Sequence, residues 1–373
     1  MSFDKGLLRN AVMIAIAATL FSACKKEGLN EKTAEPVSTQ TVSSPDANDP
    51  DNSGITDTSS TAGGSSYDSI PAASGTAVQV QPPVSASAAI GFAMENGITT
   101  GGAGGKVIAV NSLAALKSAA ALTSPAIIMI SGTISGNEYV NVKSNKSLIG
   151  LPGTTLNGVS FNLYKVSNVI IQNLTMQNFQ GSNDAITLKF SDHVWVDHCS
   201  FENTVDGLVD ITQQSDYVTV SWSKFTGATK ASLVGSGDEV TADKGRLHVT
   251  YHHNYFLNDL ERSPSIRYGT AHVFNNYYQT TASYTNGYGI AARMGAVVRA
   301  ENNYFDNIKG QPIRTLDPVP GYISGEKTNY YKNCGRNVIQ TAASAWEPTY
   351  SYKAYLDPAI EVMNIVKAGA GAK

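Results

Sequence analysis

The chain has 373 residues, of which 42% are hydrophobic and only 15% charged, with 33 glycines. So little charge excludes a coiled coil or a charge-driven disordered chain. The 27 basic and 30 acidic residues leave no cationic excess to neutralise a phosphate backbone, so nucleic acid is not an expected partner. Three cysteines in this length exclude a disulfide-built scaffold.

Residues 1–23 read as an export signal. Lys5 and Arg9 precede an apolar run from Ala11 to Phe21 that is too short to span a bilayer as a mature helix. The segment Leu20-Phe21-Ser22-Ala23-Cys24 resembles the lipobox of bacterial lipoproteins, in which the cysteine is acylated and becomes the new N-terminus. Cys24 is therefore the expected lipidation site. The expected location is the bacterial outer membrane, periplasmic or surface-exposed, with membrane contact only through this lipid. Lys25-Lys26-Glu27 follows directly, as in some surface-export signals.

From Cys24 to residue 82, Ser, Thr, Gly, Asp and Pro dominate, as in Thr56 to Gly75. Such a segment cannot bury enough apolar surface to offset its ordering entropy, and it reads as a flexible tether. Residues 25–81 hold eight acidic and three basic residues, and the signal holds one and two, leaving 21 acidic and 22 basic residues for the rest. The domain expected over residues 83–373 is close to neutral. An acidic polymer can approach it without strong long-range repulsion.

That domain shows little helical periodicity outside Leu113 to Leu122. Short β-rich runs recur instead, at 168–175, 193–201, 217–225, 248–256, 271–278 and 297–305. All but the first end in an aromatic residue, and Phe201, Phe225, Phe256, Tyr278 and Phe305 are spaced by 24, 31, 22 and 27. A repeat of this length signals a solenoid. Most runs alternate apolar and polar residues, as half-buried strands do. Asn254, Asn275, Asn276, Asn302 and Asn303 recur near the turns, where asparagine tolerates left-handed angles and can bond neighbouring coils. A β-sandwich would use hairpin turns, but Asn157-Gly158, Asp206-Gly207 and Asn286-Gly287 do not join adjacent runs. The expected fold is all-β, a single-domain right-handed parallel β-helix with functional loops on one face.

The chemistry concentrates between Asp184 and Arg267. Asp206 and Asp210 sit four apart, and Asp184 lies one coil earlier. Positions one coil apart stack, so the three carboxylates can converge, at a cost in repulsion unless a cation is present. Oxygen-only donors on loops suit Ca²⁺ better than zinc. By spacing alone, three solvated turn aspartates are the commoner outcome. Lys230, and Arg262 and Arg267 in Arg262-Ser-Pro-Ser-Ile-Arg267, can stack beside them; structural ion pairing is the plainer use of such cations.

The ordered set Val194-Trp-Val-Asp-His-Cys-Ser-Phe201, Asp206-Gly-Leu-Val-Asp210, Tyr217-Val-Thr-Val-Ser-Trp222, Tyr251-His-His-Asn254 and Arg262-Ser-Pro-Ser-Ile-Arg267 resembles polysaccharide lyase family 1, the pectate lyases. The likeness extends from Thr99-Thr-Gly-Gly-Ala-Gly-Gly-Lys106 to Glu301-Asn-Asn-Tyr-Phe305, nearly all of the domain. It implies a parallel β-helix and Ca²⁺-dependent β-elimination of polygalacturonate (pectate). Carried over by motif, Asp184, Asp206 and Asp210 become the Ca²⁺ ligands, Arg262 the Brønsted base, and Lys230 and Arg267 the substrate grips. Some members carry a further aspartate two residues before the first ligand, where this chain has Ser182.

The remaining candidates read as structural. His198, His252 and His253 fit strand or turn stacks, and Trp195 and Trp222 fit packing. Tyr268, Tyr284 and Tyr288 are near the expected substrate loops, where a sugar can stack. Cys199 reads as a buried free thiol, although pairing with Cys334 stays open in an oxidising compartment. Two rival functions are a calcium-independent pectin lyase on methylated polymer and a non-catalytic surface glycan-binding lipoprotein. The first has no need of three aspartates, and the second has no need of Arg262 and Lys230. A hydrolase with paired carboxylates finds no Asp-Asp pair here. No oligomeric requirement is visible, so a monomer is expected.

A free guanidinium is protonated below about pH 12, so an arginine base requires neighbouring positive charge. The expected outcome is an activity optimum on the alkaline side of neutrality, read from initial rates against pH. An acidic optimum removes Arg262 from the role of base.

Overall fold

The computed structural model describes residues 89–179, 184–202, 207–281 and 286–373. The signal, Cys24 and the tether lie outside the described residues, as do Asp206, Ser182 and Tyr284.

Among the described residues the chain winds through three strand-bearing faces, and the strands pair with one another in parallel. One face is a ten-stranded sheet running from Lys106–Val110 to Tyr322–Ser324. A second carries Ile186–Lys189, Val209–Thr212, Ser232–Val234, Ser265–Arg267, Tyr288–Arg293 and Gln311–Thr315 in that order. The third carries the three-residue strands from Thr175–Gln177 to Tyr330–Lys332. The strand Thr155–Tyr164 joins the last two faces: its start pairs with Thr175–Gln177 and its end with Ile186–Lys189. This is the parallel β-helix expected from the repeat. The helical periodicity near Leu113 is the helix Leu113–Ala120, capped by Ser112 Oγ accepting from Ala115 N at 3.3 Å.

Each β-rich run of the sequence is two strands, broken at a corner. The run 193–201 divides into Asp192–Asp197 and Ser200–Glu202, with His198 and Cys199 between them. The break comes from one residue per coil in the left-handed region: His198, Trp222, His253, Asn275 and Asn302, with φ from 46° to 56°. A single residue of this kind swings the chain onto the next face without a long loop.

The residue after each corner points inward and ties one coil to the next. The Cys199 amide donates to Ser223 Oγ, and the Ser223 amide to Asn254 Oδ1. The amides of Asn254, Asn276 and Asn303 then donate in turn to Asn276, Asn303 and Asn329 side chains, at 2.7–2.9 Å. Cys199 is therefore one rung of an interior ladder, and it and Cys334 are both free thiols. Two positions further on, the aromatic period becomes a column of paired residues. Phe201, Phe225, Phe256, Tyr278, Phe305 and Tyr331 occupy matching positions on the third face. Their ring centroids are 4.4–5.2 Å apart. Stacking aligns like residues on neighbouring coils and resists register slips, because a slip of one residue would turn the rings outward.

The histidines and tryptophans belong to this scaffold. His198, Trp222 and His253 stack outside the corner, and His253 Nε2 lies 2.9 Å from Asp357 Oδ2. His252 is buried against Phe274, and burial lowers its pKa well below the ordinary imidazole value. Trp195 packs on Ala93 and Ile170 and donates to Ser221 Oγ.

Asn276 is the most heavily used rung, since its amide group also donates to Tyr251 O, Phe274 O and Asn303 Oδ1. Replacing it by alanine strands buried carbonyls and the Asn254 amide. Asn276→Ala is expected to cost about 2–3 kcal/mol of stability, measured by denaturant unfolding.

Candidate active site

The second face presents its polar side chains outward on successive coils. Within Val209–Thr212, Val209 and Ile211 are fully buried while Asp210 is partly exposed, as strand alternation requires. Asp210 therefore lies inside a strand, not in the turn that its spacing from Asp206 suggests. Register carries the stack further. Ile186 pairs with Val209 and Val209 with Ser232, which sets Asp184 level with Gly207 and Gly207 level with Lys230. The backbone of Lys230 in turn pairs in parallel with that of Glu261. Adjacent rungs are about 4.8 Å apart.

Asp184 and Asp210 converge. A methyl group placed on Gly207 would lie 2.6 Å from Asp184 Oδ1 and 2.7 Å from Asp210 Oδ1. The missing side chain at Gly207 leaves a cradle between two carboxylate oxygens. Thr187 Oγ1 donates to Asp184 Oδ2 at 3.0 Å, and the Leu233 amide donates to Asp210 Oδ1 at 3.2 Å. Burial, followed by the negative charge of Asp184, pushes the Tyr139 phenol above its usual range. Sequence reading passed over Tyr139 and Thr187: Thr187 meets Asp184 only because the chain turns between them, and Tyr139 approaches it from two coils away. Among the described residues no group of three or more His, Cys, Asp and Glu converges. The third predicted ligand, Asp206, lies outside them. The donor set at hand is two hard oxygens around an open space, which fits a hard divalent cation such as Ca²⁺ and not zinc.

The cations sit on the next two coils of the same face. Lys230 is one rung beyond Gly207. Arg262 comes one coil later and has φ +61°, a left-handed conformation uncommon for a long side chain. Three steps from Lys230 to Leu233 face four from Glu261 to Ser265, so the Arg262 segment holds one extra residue. This bulge re-aims the side chain out of the regular alternation. Arg262 Nε is 3.7 Å from Glu261 Oε1, and the guanidinium lies near the Tyr288 phenol. Arg267, at the far end of Ser265–Arg267, is level with Gly235 and donates to Gly235 O.

Arg267 is held by a partner that sequence reading passed over. Its Nε donates to Asp238 Oδ1 at 2.6 Å, and Arg293, its register neighbour, binds the other oxygen of Asp238. The hydrogen bond from Arg267 and the charge of Arg293 hold the Asp238 carboxyl below the usual range. Tyr268 and Tyr288 are both buried; Tyr268 donates to Asp238 O. Neither offers a ring face as a sugar platform.

Carboxylates on two coils thus adjoin cations on the next two, all on one face of a parallel β-helix. The sequence profile described as pectate lyase matches residues 67–355. The chain belongs to the pectate lyase family. A probable pectate lyase B of Aspergillus flavus is 40% identical over 237 residues, which are 61% of this chain and 72% of that protein. A pectate trisaccharide-lyase of Thermotoga maritima is 35% identical over 312 residues, 74% of this chain and 84% of that protein. The crystal structure of a pectate lyase from Bacillus sp. N165 in complex with trigalacturonate matches with a TM-score of 0.64 at 30% identity. That match covers 76% of this chain and 98% of the other. The protein is a polysaccharide lyase on a pectate lyase fold.

Gly207→Ala tests the cradle, because the new methyl must displace one carboxylate or the other. It is expected to weaken Ca²⁺ binding about 10- to 100-fold by calorimetric titration, with little change in thermal unfolding. Unchanged affinity would place the cation elsewhere.

Proposed function

We propose that this enzyme cleaves α-1,4-linked polygalacturonate by calcium-dependent β-elimination and releases 4,5-unsaturated oligogalacturonides. The observation that carries the reading is the meeting of Asp184 and Asp210 at Gly207, with Lys230 and Arg262 on the next coils of the same face. The trigalacturonate bound to the Bacillus relative supports the choice of polymer.

The hydrogen at C5 of a galacturonate unit is alpha to a carboxylate and only weakly acidic. Arg262 takes that proton. The freed electron pair forms the C4–C5 double bond, the C4–oxygen bond breaks, and the glycosidic oxygen leaves with its electron pair and is protonated. Lys230 and Arg267 meet substrate carboxylates with positive charge that is already in place when negative charge develops. Asp238 keeps the Arg267 guanidinium in a fixed orientation, so less order has to be imposed when substrate arrives. Asp184 and Asp210, with Asp206 as the expected third ligand, would hold a Ca²⁺ ion, which would supply electrophilic stabilisation of the carboxylate next to the reacting carbon. The preference is for de-esterified polymer, since a methyl ester offers no charge to a site built from a cation and three basic side chains.

The lipobox-like segment ending in Cys24 and the polar stretch after it support a second part of the proposal. The enzyme is lipid-anchored to the outer membrane and reaches a bulky polymer on a long tether.

The test is ultraviolet absorbance from unsaturated uronate during incubation with polygalacturonate. Absorbance should rise, should vanish with chelator and return with Ca²⁺, and should be weaker on fully methylated pectin. Arg262→Lys keeps a positive charge but loses the planar fork, and is expected to lower turnover by at least about 100-fold with Ca²⁺ binding intact. A retained rate would remove Arg262 as the base; equal rates on methylated pectin with chelator present would favour a pectin lyase.

A further inference from the structure

Asp259 is three residues before Arg262 and makes no part of the scheme above. It is 4% exposed. Its Oδ1 accepts the Ala228 amide of the preceding coil at 2.8 Å, two residues before Lys230. The contact continues as a short ladder, with the Leu260 amide donating to Ala228 O at 2.8 Å and the Glu261 amide to Thr229 O at 3.2 Å. On the other side, Asn286 Nδ2 of the following coil donates to Asp259 O at 2.7 Å. One buried side chain thus joins the turn that leads into Lys230 to the turn that leads into Arg262.

Its second oxygen, Oδ2, is buried and has no hydrogen-bond partner, and Oδ1 of the adjoining Asn286 is in the same condition. The charged and titratable groups on the surrounding turns are Lys230 before it, Glu261 and Arg262 on its own coil, and Tyr288 after it; among the described residues the carboxyl accepts a hydrogen bond from the Ala228 amide alone. An ionised carboxylate with one neutral donor and a buried bare oxygen is costly, whereas a neutral acid is not. We propose that Asp259 is a positioning residue, carried as the neutral acid, that sets Lys230 and Arg262 relative to each other and whose ionisation sets the alkaline limit of activity. The inference rests on the roles proposed above for those two residues. Burial pushes the Asp259 carboxyl up to about 8, which agrees with the geometry.

The sign of the stability effect follows. The folded-state value lies above the unfolded carboxyl value of about 3.9, so the parent loses stability as pH rises from about 4 toward 8. Asparagine at this site has the same shape, keeps an acceptor for Ala228 and does not titrate.

The experiment compares parent, Asp259→Asn, Asp259→Ala and Arg262→Lys across pH on polygalacturonate at saturating Ca²⁺, together with thermal unfolding at pH 4 and pH 8. Asp259→Ala should lower kcat about 10- to 100-fold with KM little changed, the scale expected when catalytic groups are misplaced. Asp259→Asn should recover most of that loss near neutrality and move the alkaline limb to higher pH. Its melting temperature relative to the parent should rise between pH 4 and pH 8, a readout independent of catalysis. An alkaline limb that is the same in parent and Asp259→Asn, or absent from the parent, overturns the inference. So does a stability difference that does not change with pH. If Asp259→Ala does not fold, the asparagine variant decides alone. Failure of this inference is separable from failure of the functional reading: an active Arg262→Lys sinks the reading, while an inactive one with unaltered Asp259 profiles sinks only the role of Asp259.

Discussion

Parallel stacking at one rung per coil is the constraint on which the rest of this molecule depends. Each strand is short, and a three-residue strand has little reason to persist alone. What holds it is the identical strand above and below, locked by backbone ladders and by like side chains at matching positions. The column from Phe201 to Tyr331 and the ladder from Cys199 to Asn329 perform this on adjoining positions of the same corner. The first removes apolar area from water, and the second satisfies amides that the corner would otherwise leave buried and unpaired.

The same constraint makes the outer face a place where charge can be arranged. Whatever lies outward at one rung has a neighbour about 4.8 Å away on the next coil. Two carboxylates so close repel, and two cations so close repel as well. On this face Asp184 and Asp210 adjoin Lys230, and beyond Lys230 come Glu261 and Arg262. At the other end of the strands, Arg267 and Arg293 share Asp238. Opposite signs on neighbouring coils offset this repulsion, and the missing side chain at Gly207 leaves a cradle between the two carboxylates.

Much of this was legible in the sequence, and the reason is periodicity. The aromatic spacing from Phe201 to Phe305 marked coils of varying length, and those residues do align. The ordered motifs marked Asp184, Asp210, Lys230, Arg262 and Arg267, and all five fall on one face. The corners were legible only where asparagine marked them, at Asn275 and Asn302; a left-handed residue such as Trp222 or His253 is held there by its neighbours and not by its own preference. The bulge at Arg262 was hidden for a related reason: an extra residue is visible only when two coils are aligned. Tyr139, Asp238, Arg293 and Asp259 carry no local signature. Their importance comes from a contact one or more coils away.

By itself, then, the sequence determined the solenoid, its repeat and the chemical character of the face, since these follow from composition and from patterns that recur along the chain. Tertiary structure decided where each coil turns, which carboxylates share the space left by Gly207, how Arg262 is aimed and which groups hold the arginines. Those outcomes depend on register between segments 20 to 30 residues apart. Register is set by the sum of many stacked contacts, and no single segment contains it.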